Sequence, residues 1–151
     1  MRAFLSMVLL LAACNTAEPM AARSGSGNSA ANDWRLEITS TGGFAGRGLG
    51  SVTIAGNTVE AANMSATPCR GELTAAERAE LQRIVSSAKP EAWQDVPPPR
   101  RGADMVAYTL TLHRGDRSRS VTWTGEDVTA LPRDLAELFT NAWRIRGRVC
   151  G

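Results

Sequence analysis

Trp34-Arg35-Leu36-Glu37-Ile38-Thr39 alternates apolar and polar residues, the period of a strand with one buried face. The glycine-dense stretch from Gly42 to Gly50 interrupts the alternation. It resumes in Ser51–Ala55 and Thr58–Ala62, and Gly56-Asn57 between these runs predicts a short hairpin. The period then lengthens. Leu81, Ile84, Val85 and Ala88 recur at helical spacing behind Thr74-Ala75-Ala76-Glu77. That tetrad is a capping box, in which the threonine hydroxyl accepts from the Glu77 amide and the glutamate reaches back to the cap. Pro90 stops the helix after about four turns. Pro97-Pro98-Pro99-Arg100-Arg101-Gly102 predicts a stiff extended loop, because three prolines fix φ and withhold donors. Beyond it, Val106, Tyr108, Leu110 and Leu112 lie on one face of a strand, and Ala107, Thr109, Thr111 and His113 on the other. Gly115-Asp116 turns the chain, and Ser118–Thr124 returns with Val121 and Trp123 facing in. The last helix opens near Pro132, preorganised for a first helical turn, and carries the stripe Leu135, Leu138, Phe139, Ala142 and Trp143. Each helix has a single apolar face, and only a sheet is available to cover it. The expected fold is α+β: a small, mainly antiparallel sheet of four or five strands with two amphipathic helices packed on one face. Without a second apolar face on either helix, a monomer is expected.

The first 33 residues follow a different pattern. Arg2 precedes an apolar run, Ala3 to Leu11, of secretory-signal length and too short to span a bilayer. Leu11-Ala12-Ala13-Cys14 looks like a bacterial lipobox, in which the bond before the cysteine is cut and the new N-terminal cysteine carries acyl chains. The alternative is an ordinary secretory signal ending at a chance cysteine. Residues 1–13 are therefore expected to be a lipoprotein signal, 14–33 a lipidated Cys14 with a flexible tether, and 34–151 the folded domain. Asn15 to Asn32 is small and polar around Ser-Gly-Ser-Gly, with an r.m.s. reach of roughly 20–25 Å. Asn15, where Asp would favour retention, points to the outer membrane of a double-membrane cell, with the domain facing the periplasm.

Cleavage leaves 138 residues, enough for one domain with a core. Without Arg2, sixteen Lys and Arg face fifteen Asp and Glu, so nothing demands a polyanionic partner, and an exported address conflicts with nucleic-acid binding. Arg144, Arg146 and Arg148 read as a solvated tail rather than a binding patch. Cys69 and Cys150 form an even pair in a small exported domain, which reads as one disulfide closing a loop of 80 residues. In the chain-entropy account that closure is worth roughly 4–5 kcal/mol. Two free or metal-binding thiols are the rival reading, and they lack companion ligands. His113 is the sole histidine, and no C-x-x-C or H-E-x-x-H spacing occurs, so no metal or other cofactor is expected. No nucleophile elbow accompanies His113, which reads as an ordinary strand residue, and the chain is not expected to be an enzyme. Gly46-x-Gly48-x-Gly50 lacks the lysine of a phosphate-binding loop and precedes a strand instead of a helix.

Three segments, in order, resemble the emfourin family of small protein inhibitors of thermolysin-like zinc metallopeptidases. They are Ile38-Thr39-Ser40-Thr41-Gly42-Gly43-Phe44-Ala45-Gly46; Gly102-Ala103-Asp104 leading through Tyr108–Leu112 into Arg117–Thr122; and Leu131-Pro132-Arg133-Asp134-Leu135. The resemblance covers nearly all of the domain, from Trp34 to about Trp143; Val52 to Ser65 fits less well, and the lipobox, tether and cysteine pair are additions to the pattern. It implies a cleft-blocking inhibitor with a thermolysin-like metallopeptidase as partner and the membrane as its anchor. The glycine loop Gly42, Gly43, Phe44, Ala45, Gly46 and Arg47 is then the candidate inhibitory contact, since glycines let another backbone approach closely. Phe44 is its one large side chain, and thermolysin-like enzymes favour bulky apolar residues just after the scissile bond. The competing reading folds Phe44 back over the sheet edge. Pro97, Pro98, Pro99, Arg100 and Arg101 form the second candidate contact, suited to an acidic enzyme rim, or else a spacer. The alternative function is a non-enzymatic envelope lipoprotein acting as a structural or adaptor module.

Overall fold

The computed structural model describes residues 33–43, 46, 48–65, 67–97, 105–125 and 127–151. The lipobox with Cys14, the tether through residue 32, Phe44, Ala45, Arg47 and residues 98–104, which include Pro98, Pro99, Arg100 and Arg101, lie outside them. The elements are β1 (Trp34–Gly42), β2 (Ser51–Ala55), β3 (Thr58–Ala62), β4 (Pro68–Glu72), α1 (Ala75–Ser87), a 3-10 turn (Pro90–Ala92), β5 (Val106–Arg114), β6 (Arg117–Thr124) and α2 (Arg133–Cys150). The strands form one sheet in the order β4-β3-β2-β1-β5-β6, and each neighbouring pair is antiparallel.

The sheet has six strands where the hydrophobic pattern predicts four or five, and the missed strand is β4. Its sequence, PCRGE, shows no apolar alternation because its inward positions are Cys69 and Gly71, opposite Ala61 and Val59 of β3. Pro68 is accommodated as the first residue of an edge strand. A Cβ at Gly71 would sit 3.0 Å from a Val149 methyl, so the absent side chain lets α2 lie close against this edge.

Elsewhere the alternation holds. Leu36 and Ile38 of β1 stand opposite Ile54 and Val52 on one side and Leu112 and Leu110 on the other, all buried. Both helices cover this face. Leu81, Ile84 and Val85 of α1 and Leu135, Leu138, Phe139, Ala142 and Ile145 of α2 are buried against it. Tyr108, Trp123, Phe139 and Trp143 pack edge-to-face and stacked, with centroids 5.0–5.6 Å apart. The other face is polar, with hydroxyl pairs Thr109–Thr122 at 3.0 Å and Thr111–Ser120 at 2.7 Å. His113 stands there 3.3 Å from Glu37, a strand residue as expected.

The outer edge of β6 is lined by the segment after the 3-10 turn. Val96 N–H donates to the Thr122 carbonyl (3.0 Å), and Thr122 N–H donates to Asp95 (2.8 Å). Asp134, in the first turn of α2, accepts from Lys89 N–H and from the buried Trp93 indole at 2.9 and 3.0 Å, fastening that segment to the helix. Where the chain enters β1, the Asp33 carbonyl accepts from Gly115 N–H (3.1 Å) in the β5–β6 turn. Pro132 stands just outside α2, at its N-cap with extended backbone, rather than within the first turn.

The capping box forms as predicted, and Glu77 does more than cap. Thr74 N–H donates to Oε2 (2.9 Å) and Glu77 N–H donates to the Thr74 hydroxyl (3.2 Å), while Arg148 donates Nε to Oε1 (3.0 Å) and Nη2 to Oε2 (2.8 Å). Arg144 adds a donor at 3.3 Å. The expectation of a solvated tail for Arg144, Arg146 and Arg148 is therefore corrected: these residues are helical, and they reach back to Glu77 of α1 and to the carbonyls of Leu49, Ala62 and Glu72. Two residues beyond Arg148, Cys150 is disulfide-bonded to Cys69, so α2 is joined to the sheet edge by a covalent link and to α1 by an ion pair. Among the described residues no helix is long and apolar enough to cross a membrane.

Burial alone would raise the Glu77 pKa, but the Arg148 and Thr74 hydrogen bonds and the Arg148 charge outweigh it and hold the carboxyl below its ordinary value. A depressed native pKa contributes stability that is complete above the unfolded value, about 4.3, and lost as pH falls through the native one. Glu77→Gln is expected to cost about 1–3 kcal/mol at neutral pH, the worth of charge-assisted hydrogen bonds. Urea midpoints at pH 7 should separate wild type from variant, and the gap should close progressively below pH 4.3; a gap independent of pH would contradict the linkage.

Candidate functional site

Gly42 pairs with Val106, and Gly125 N–H donates to the Val106 carbonyl (2.8 Å), so the end of β1, the start of β5 and the exit from β6 share one end of the sheet. Both candidate contact loops spring from it. The glycine loop leaves at Gly42, and Gly43 N–H donates to the Met105 carbonyl at 3.3 Å. Met105 is where the proline-bearing segment re-enters, and Pro97 leaves it just after the Val96 bond to β6. The two stretches singled out in the sequence thus have adjoining roots at Gly43 and Met105, although these residues lie 62 positions apart in the chain.

The loop is closed on itself and onto β1. Gly48 N–H donates to the Gly42 carbonyl (2.8 Å) and Gly46 N–H to the Gly43 carbonyl (2.9 Å). Ser40, the last inward residue of β1 and 8% exposed, supplies the rest. Its hydroxyl donates to the Gly50 carbonyl and accepts from Leu49 N–H, both at 2.7 Å, while its own N–H donates to Gly50 at 3.1 Å. This crowding needs glycine at three positions: at Gly42 (φ +87°) a Cβ would lie 2.6 Å from the Met105 carbonyl oxygen, and the other two are tighter still. At Gly48 (φ +64°) a Cβ would lie 2.2 Å from the Ser40 carbonyl oxygen, and at Gly50 (φ +116°) 2.1 Å from that of Ala62. Gly46 has a comparable φ of +66° and open space around it.

The other support comes from α2. Arg146 donates Nε to the Ala62 carbonyl (3.0 Å) and Nη2 to the Leu49 carbonyl, with its guanidinium 4.5 Å from the centroid of the Trp143 ring. Burial lowers its pKa and Tyr108 opposes the shift; the group remains charged. Next to the Ser40–Tyr108 register pair, Tyr108, Val128, Phe139, Trp143 and Arg144 line an apolar cavity of about 390 Å³. Ser40 and Arg146 escaped sequence reading. Ser40 sits in phase with the buried face of β1, and Arg146 lies one turn from Trp143, so each left a periodic signal without indicating its partner.

Among the described residues no group of three or more His, Cys, Asp or Glu side chains is placed to hold a metal ion. What the described residues show is a glycine-rich segment whose two ends are hydrogen-bonded to β1, Met105 and α2. The emfourin family model matches residues 38–142, more than half of the chain, running from within β1 to within α2, and the chain belongs to the emfourin family. Membership implies an inhibitor of metallopeptidases in general terms, rather than an enzyme. No curated protein matches the chain.

The glycines separate by role. Gly48→Ala and Gly50→Ala place a methyl against backbone carbonyls and are expected to disrupt the loop root, visible as lost chemical-shift dispersion for Ser40 and Ala62. Gly46→Ala meets only the positive-φ cost, about 1 kcal/mol in thermal unfolding. Equal effects at the three positions would refute the geometry.

Proposed function

We propose that the chain is a lipid-anchored inhibitor that blocks the active-site cleft of a thermolysin-like zinc metallopeptidase. In this reading Gly42, Gly43, Phe44, Ala45, Gly46 and Arg47 are the inhibitory contact, and Pro97, Pro98, Pro99, Arg100 and Arg101 are the second. The observation that supports it is the rooting of the loop: its first glycines bond to Met105 and to Gly48, and its last two residues bond to Ser40 and Arg146. A segment that enters a protease cleft without being cut must lose little conformational entropy on binding and must resist settling into the geometry of a cleavable strand. A root held by this many hydrogen bonds meets the first requirement, and consecutive positive-φ glycines meet the second, since an extended substrate strand has negative φ throughout.

Phe44 is the residue assigned to the apolar subsite of the enzyme, and Arg100 and Arg101 to acidic groups at its rim. The purified domain should inhibit hydrolysis of a peptide substrate by a thermolysin-like peptidase. Phe44→Ala and deletion of Pro97–Arg101 should each weaken that inhibition, by about tenfold or more for loss of a central aromatic anchor. If wild type and both variants leave hydrolysis unchanged, cleft blocking is wrong for that enzyme.

Anchoring through Cys14 is proposed on the sequence around the lipobox. With the tether of 14–33 it would hold the inhibitor at the envelope, on the outer membrane facing the periplasm, where an exported peptidase endangers its producer. Cys14→Ser should move the protein from the membrane fraction to the soluble fraction; persistence in the membrane would exclude a lipid on that residue.

A further inference from the structure

We propose that Arg146, acting with Ser40, is the positioning residue of the glycine loop: its two-pronged guanidinium sets the loop's conformation from α2 before any peptidase arrives. The inference rests on the inhibitory reading of the loop and adds a residue beyond the matched span 38–142. Three backbone polar groups meet at the C-terminal root of the loop: the Leu49 amide, the Leu49 carbonyl and the Gly50 carbonyl. Ser40 satisfies the first and third, and Arg146, 97 residues along the chain, satisfies the second. The same guanidinium holds the Ala62 carbonyl at the end of β3, so one planar group fixes the spacing between the loop root and a strand of the sheet.

The site is shaped around that group. A Cβ on Gly50 would lie 2.6 Å from Nη2 of Arg146, so the glycine leaves the passage through which the arginine reaches Leu49. Trp143 lies 4.5 Å beneath the guanidinium and limits its rotation. Leu49 and Ala62 are half-buried, not enclosed in the core, so removing the arginine lets water approach and serve their carbonyls in its place. What water does not reproduce is the fixed distance between them. Arg146 therefore governs the loop's geometry more than the survival of the fold.

Losing that constraint lowers the fraction of molecules whose loop is competent to bind, and apparent affinity falls by the same factor. Arg146→Lys separates geometry from charge, because an ammonium keeps the charge and the stem over Trp143 but not the planar two-carbonyl fork. Three measurements on the soluble domain decide the matter: inhibition of a thermolysin-like peptidase, melting temperature, and hydrogen exchange at the Gly48 and Leu49 amides. Arg146→Lys and Arg146→Met should each weaken inhibition about tenfold, mainly through slower association, if the competent fraction drops to about a tenth. The melting temperature should stay close to wild type, and exchange at the two amides should accelerate. Full inhibition by Arg146→Lys, unchanged exchange, or failure of that variant to fold would each overturn the proposal, the last because it would make Arg146 a residue of the fold alone. Should wild type inhibit no such peptidase, the functional reading fails, and the exchange measurement still decides whether Arg146 holds the loop.

Discussion

Burial of the α2 stripe against β2, β3 and β4 fixes where the polar end of that helix must reach. With Leu138, Ala142 and Ile145 seated in the core, Arg144 and Arg148 fall within range of Glu77, Arg146 falls beneath the loop root, and Cys150 meets Cys69. Each of these contacts joins α2 to a different part of the chain: the start of α1, the exit of the glycine loop, and the edge strand. A shift of the helix by one turn, about 5.4 Å, would break all of them together, so the apolar stripe and the polar contacts specify the same register.

The glycine loop depends on that register because glycine-rich backbone has little intrinsic preference for one conformation. Stiffness has to be imported. Ser40 brings it from β1 and Arg146 from α2, both by occupying main-chain groups that would otherwise be free to turn toward solvent. Prolines or β-branched residues would stiffen such a segment locally, but they could not adopt the positive φ found at Gly42, Gly43, Gly46, Gly48 and Gly50 without strain.

The elements that were legible in the sequence are those whose signal is local. Alternation in Trp34–Thr39 and Val106–His113, the Thr74–Glu77 box, the Gly56-Asn57 turn and the stripe of α2 each follow from a few neighbouring residues. What was missed depends on partners distant in the chain. β4 pairs through its backbone and offers a disulfide cysteine and a glycine where a strand ordinarily shows apolar side chains. The arginines near the C terminus look like a solvated run because their acceptors, Glu77 and the carbonyls of Leu49 and Ala62, belong to other elements. The glycine loop was visible as a loop and as part of a family motif. Its clamp was not, since a buried serine and a helical arginine are common residues whose importance comes from where the fold places them.

The Asp33 contact with the β5–β6 turn has a directional consequence. It puts the chain's entry at one end of β1, and Gly42 at the other end of this nine-residue strand stands about 26 Å away at 3.3 Å per residue. A leash attached ahead of Asp33 would therefore join the domain at the end of β1 opposite the glycine end. Beads or sensor chips coupled through the N terminus would leave the glycine end unobstructed, which makes this the favourable polarity for testing capture of a metallopeptidase.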